Sequence, residues 1–145
     1  MFTNKVYVLS LAAMAFISSC KEETKEEPQP SKPKTKLELL MSSNWLEVDA
    51  RDANGSLWGQ VAECVKDDLL KFKDAGVYEY NTGTVKCNAN EPQIKPGNGT
   101  WELSADAGTL KMGPYSYRVE ELTDSKLRLF MSGQGYQLTV FYEKR

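Results

Sequence analysis

Apolar and polar residues alternate through the second half of the chain. Trp101 and Leu103, Leu110 and Met112, Tyr115, Tyr117 and Val119, Leu127, Leu129 and Met131, and Tyr136, Leu138, Val140 and Tyr142 recur two apart. Glu102, Lys111, Arg118, Glu120, Arg128 and Gln137 fall between them. A period of two places the first set on one face of extended strands and the second set on the other. The pattern predicts strands over 45–49, 57–62, 69–72, 77–81, 99–104, 109–112, 115–122, 127–132 and 136–143. Turn signals separate them, among them Ala53-Asn54-Gly55, Lys73-Asp74-Ala75-Gly76, Ala105-Asp106-Ala107-Gly108, Thr123-Asp124-Ser125-Lys126 and Gly133-Gln134-Gly135. Helical spacing occurs once in this part of the chain: Leu37, Leu40 and Met41 predict a short helix over 36–42, ended by Ser42, Ser43 and Asn44.

Strands with one apolar face and no helices to cover it must form a sheet that packs on itself. The expected fold is all-β, a small up-and-down antiparallel β-barrel with one short N-terminal helix. A two-sheet sandwich would bury the same faces. The short hairpin connections favour the barrel, since sandwiches need longer crossings. The one long connection, 83–98, contains Cys87.

The N-terminal segment follows a different pattern. Lys5 precedes an apolar run over 6–17, then Ser18, Ser19 and Cys20. The run is shorter than the roughly 20 residues that span a bilayer, and it has the layout of an export signal. Ile17-Ser18-Ser19-Cys20 resembles the lipobox of bacterial lipoproteins, which implies acylation of Cys20 and a mature protein beginning there. Lys21-Glu22-Glu23 resembles the export tag of Bacteroidota-type surface lipoproteins, which implies an anchor in the outer membrane, facing the cell surface. Residues 21–36 are only Lys, Glu, Thr, Pro, Gln and Ser, and such a composition stays extended. The expected organisation is a signal peptide over 1–19, a lipidated linker over 20–36 and one barrel domain over 37–145.

Composition narrows the partners. The chain has 18 basic and 20 acidic residues, a formal charge of −2, and its export signal holds one lysine of these. No basic excess draws it to nucleic acid, and a monomer is expected. Beyond the anchoring Cys20, Cys64 and Cys87 form an even pair in an oxidising compartment, which predicts a structural disulfide.

A family resemblance rests on particular residues. A short helix runs into Ser43-Asn44-Trp45. Then come Cys64-Val65-Lys66-Asp67-Asp68, residues 72–76 with Tyr78, Cys87, Gly99-Thr100-Trp101, and 117–127 leading to a Phe-Tyr strand. This series resembles the lipocalin-like domains of exported bacterial lipoproteins and covers most of 37–145. Its most specific element is the cysteine pair with the acidic doublet between. It departs from true lipocalins at Ser43, where they carry a glycine two residues before the first-strand tryptophan. The resemblance implies a calyx and small-ligand binding.

Other motifs lose to simpler readings. Asp52-Ala53-Asn54-Gly55 resembles part of a calcium loop, but Ala50 and Val61 occupy two of the required oxygen positions, so it reads as a hairpin turn. Glu120 and Glu121 are adjacent on a strand and should point to opposite faces, which rules out a dyad. Asp67-Asp68 reads as turn capping, with metal binding the minority alternative. No nucleophile elbow, phosphate loop or dinucleotide fingerprint occurs. The expectation is a binding protein with no catalytic residues, no metal and no cofactor.

Two functions follow from a barrel of this size. In the first, Tyr78, Tyr80, Trp101, Tyr117, Leu129, Met131, Tyr136 and Leu138 line a cavity for a small apolar or amphipathic ligand, with Glu121 placed inward by strand parity. In the second, those side chains fill the barrel. The protein then binds an extracellular protein, for instance as a hydrolase inhibitor, through loops 83–98 and 53–59 with Trp58. An eight-stranded barrel is wide enough for either.

Overall fold

Thr35 starts the only α-helix among the described residues. Its hydroxyl accepts from the Glu38 amide at 3.2 Å while the Glu38 carboxylate accepts from the Thr35 amide at 2.7 Å, a reciprocal cap on α1 (Lys36–Met41). The computed structural model describes residues 32–133 and 135–145. The predicted signal peptide, Cys20 and most of the linker lie outside the described residues.

Among the described residues nine strands follow: β1 (Asn44–Asp52), β2 (Gly55–Ser56), β3 (Leu69–Phe72), β4 (Val77–Asn81), β5 (Ile94–Leu103), β6 (Thr109–Met112), β7 (Tyr115–Leu122), β8 (Lys126–Gly133) and β9 (Tyr136–Lys144). From β3 to β9 each strand pairs antiparallel with the next. β1 pairs with β3 on one side, through Asn44 to Leu46, and with β9 on the other, from Trp45↔Lys144 to Arg51↔Thr139. That second pairing closes an eight-stranded up-and-down barrel. β2 only extends the far end of β1.

The predicted strand over 57–62 is replaced by two 3-10 turns, Trp58–Gln60 and Glu63–Val65. A strand needs a ladder partner, and both sides of β1 are already taken by β9 and by β2 and β3. The long connection is also shorter than expected, because β5 begins at Ile94 and not at Gly99. Glu79 pairs with Pro96 and Val77 with Thr100, so Gly97, Asn98 and Gly99 bulge opposite Tyr78 alone. A Cβ at Gly97 would overlap the Tyr78 ring, whose hydroxyl donates to the Asn98 carbonyl at 3.1 Å. The bulge makes room for that ring.

The inward faces meet as the alternation requires. Leu40, Trp45, Leu70, Phe72, Leu110, Leu127 and Leu129 are all but fully buried. Leu39 and Leu40 of α1 join this core, and the Trp45 indole N–H donates to the Leu40 carbonyl at 2.9 Å, tying the helix to the barrel.

Candidate ligand-binding pocket

A pocket of about 270 Å³ enters the barrel beside the β1–β9 seam. β1 contributes Trp45 and Glu47, β3 Leu70, β4 Tyr80, β5 Lys95 and β9 Tyr142, while Val65 and Asp68 come from the turn before β3. Strand parity explains the set on β1: Trp45 and Glu47 point inward, and the register shift between Glu47 and Asp49 brings Ala50 inward next. A wider hollow of about 470 Å³ lies against Met41, Phe72, Lys73, Asp74 and Val77, at the helix and the β3–β4 turn. Lys73, Asp74 and Val77 are exposed, so it offers little desolvation.

Glu47 sets the electrostatics of the interior. Burial among aromatic rings pushes its carboxyl up to about 7, with the nearby Asp49 carboxylate adding to the effect. Tyr80 is pushed up to about 12 by burial, then by Tyr78, Tyr117, Glu47 and Asp68. Burial also raises Tyr142 well above the ordinary phenol value, and Glu47, Tyr80 and Tyr117 raise it further. Tyr117 is raised by burial, then by Tyr115, Tyr78 and Glu47. Three phenols therefore stand within the field of one carboxyl and stay protonated at physiological pH. Among the described residues, no side chain forms an ion pair or hydrogen bond with the Glu47 carboxyl.

The mouth is held by a polar clamp. Lys95 Nζ lies 3.1 Å from Asp68 Oδ2 and 2.9 Å from Glu91 Oε1, so two carboxylates neutralise its charge. The buried Asp68 also accepts from the Gly83 amide at 3.1 Å. Asp67 Oδ2 accepts from the Thr84 amide at 2.6 Å, the Thr84 hydroxyl at 3.1 Å and the Val85 amide at 3.1 Å. These bonds hold its carboxyl below the usual carboxylate range, the Val85 amide foremost. Cys64 and Cys87 form a disulfide with a Cα–Cα distance of 5.0 Å, and the Cys87 amide donates to Glu91 at 2.7 Å. The acidic doublet thus works in loop capping. Among the described residues, no group of three or more His, Cys, Asp or Glu side chains is arranged to hold a metal ion.

The family model of the lipocalin-like domain matches residues 43–129, which run from the residue before β1 into β8. The chain belongs to the lipocalin-like domain family. No curated protein matches it. Lipocalin-like domains are typically binding proteins, and the barrel of this one carries a pocket of about 270 Å³.

The residues expected to line the cavity are spread through this lipocalin-like domain. Tyr80 lines the pocket, and Tyr117 lies half-buried within reach of the Glu47 charge. Tyr78 and Trp101 fill the core instead. Tyr78 packs edge-on to Tyr80 with centroids 6.1 Å apart, and Trp101 packs edge-on to Phe72 at 5.3 Å while its indole donates to the Lys73 and Val77 carbonyls. Leu129 is buried in the core, Met131 and Leu138 pair half-buried across β8 and β9, and Tyr136 is exposed.

Glu121 does not point inward as strand parity predicts. A register shift between Val119 and Glu121 sets Glu121 opposite Arg128 and sends Leu122 inward to pair with the buried Leu127. Glu121 therefore lies on the outer face, 3.9 Å from Arg128, and its neighbour Glu120 reaches the same guanidinium at 3.4 Å. The two adjacent carboxylates share one side because the extra residue breaks the period of two.

Besides Tyr80, the lining residues Trp45, Glu47, Val65, Asp68, Leu70, Lys95 and Tyr142 lie outside the expected set. Glu47 stands two residues after Trp45 and Tyr142 two after Val140, so alternation carried the signal for both.

Proposed function

We propose that this protein is a lipid-anchored lipoprotein of the bacterial outer membrane, displayed at the cell surface, whose barrel binds a small apolar or amphipathic ligand. It acts as a binding protein and not as an enzyme. The observation that supports ligand binding is the pocket beside the β1–β9 seam: aromatic and aliphatic walls from Trp45, Val65, Leu70, Tyr80 and Tyr142, charged groups from Glu47, Asp68 and Lys95, and a volume near the lower end of small-molecule sites, roughly 300 Å³. Its size favours a compact ligand over a long acyl chain.

Native mass spectrometry of protein purified without added ligand tests the reading, with a retained small-molecule mass expected. A bare protein mass, together with no uptake from ligand extracts, would instead support a filled barrel acting through loops 83–98 and 53–59. For the anchor, incorporation of labelled fatty acid that disappears in Cys20→Ala is expected. Surface display is checked by protease digestion of intact cells, and protection of the domain in unbroken cells would contradict it.

A further inference from the structure

From the pairing of one unpartnered carboxyl with an aromatic wall inside the pocket, we infer that the ligand is a small organic cation, an ammonium group carried on an apolar body, with Glu47 as its counter-ion. This inference rests on the ligand-binding reading above and names the class of molecule.

Charge balance is the first argument. The ionisable groups lining the pocket are Glu47, Asp68 and Lys95 besides the phenols, and Lys95 is already paired with Asp68 and with Glu91 behind it. No positive charge is left over for Glu47. Asp49 on its own strand acts on it, and it acts in turn on Tyr80 of β4, Tyr117 of β7 and Tyr142 of β9; none of these groups is cationic. An anionic ligand would meet a negative interior, whereas a cation would supply the missing partner.

The walls supply the second argument. Tyr80 and Tyr142 line the same space as the carboxyl and stay partly exposed, while Trp45 is fully buried. Phenol faces attract a cation, more strongly when it is desolvated, and such cages recognise alkylated ammonium groups. The apolar body would rest on the exposed Val65.

A proton completes the account. With its carboxyl held near 7, Glu47 is about half protonated at neutral pH in the empty site, and a bound cation would hold it ionised. Cation binding should therefore release a proton and weaken as the pH falls below that value.

Isothermal titration with 2-phenylethylammonium, 2-phenylethanol and 3-phenylpropionate, three probes of similar shape and different charge, tests the inference. At pH 8 the ammonium probe should bind at least tenfold more tightly than the alcohol, and the carboxylate most weakly. From pH 6.5 to 5.5 the ammonium affinity should fall several-fold and that of the alcohol should not change. Glu47→Gln should abolish the preference for the ammonium probe while keeping alcohol binding, with an unchanged near-ultraviolet spectrum confirming the fold. Equal ammonium and alcohol affinities, tightest binding by the carboxylate, or an unaltered ammonium preference in Glu47→Gln would each overturn the inference and leave the ligand-binding reading standing. Failure of all three probes to bind, with no retained mass in the native spectrum, would overturn both.

Discussion

Glu47 of β1 and Tyr142 of β9 stand opposite one another in the ladder that closes the barrel. Each comes from a different end of the domain, and they meet only because the first and last strands pair. The register slips immediately after Glu47. The seam of the barrel and the wall of the pocket are therefore one feature.

The burial of Glu47 makes stability depend on pH in a particular direction. Its carboxyl sits near 7 in the folded protein against an ordinary 4.5, so the folded state holds the proton more tightly than the unfolded chain. Below about 4.5 the group is protonated in both states and costs nothing. Between about 4.5 and 7 the unfolded chain ionises while the folded carboxyl keeps its proton, so stability falls by on the order of 2 kcal/mol once screening at the open mouth is allowed for, and levels off above 7. Glu47→Gln should match the wild type near pH 4.5 and exceed it at pH 8, as read from urea midpoints. Comparing the two proteins removes the opposite slope contributed by carboxylates such as Glu91 and Asp106, which are held below their ordinary values.

The disulfide closes a loop of 23 residues beside the pocket. On the chain-entropy model this stabilises the fold by about 3 kcal/mol. Replacing Cys64 and Cys87 together by serine should lower the melting temperature by on the order of 15 °C for a domain of this size, measured by calorimetry.

Gly83 and Asp67 are coupled through space. A Cβ at Gly83 would overlap the Asp67 carboxyl, which itself bonds the Thr84 and Val85 amides. Gly83→Ala should destabilise by about 1 to 3 kcal/mol. In an Asp67→Ala background the same change should cost much less, because the group it strikes is gone. Faster hydrogen exchange at the Thr84 and Val85 amides is expected in Asp67→Ala, and additive effects of the two substitutions would contradict the coupling.

Trp45 joins the helix to the barrel through its indole bond to Leu40. Trp45→Phe removes that donor, leaves the buried carbonyl without it and opens a void, at a cost of about 2 kcal/mol. Amide exchange over Lys36–Met41 should rise more than exchange in β8 and β9.

Several strand boundaries were legible in the sequence. β3, β4, β6 and β7 begin and end where period-two alternation and turn residues place them, and the cysteine pair forms the expected bridge. Where a strand carries extra residues, parity gave the wrong side or the wrong start. The slip after Val119 turns Glu121 outward, and the bulge at Gly97 to Gly99 hides the first residues of β5.

The sequence by itself determined that this chain folds as antiparallel strands packed on themselves, because one apolar face per strand must leave water, and its short connections favoured a barrel over a sandwich. It also determined which residues form most of the strands, since alternation is a local property. Only the tertiary structure decided which inward side chains share the pocket. Glu47, Tyr80, Lys95 and Tyr142 come from four strands, and their meeting depends on ring closure and on bulges that count residues across neighbouring strands. The placement of a charge among phenols is a property of the closed ring, and no single strand encodes it.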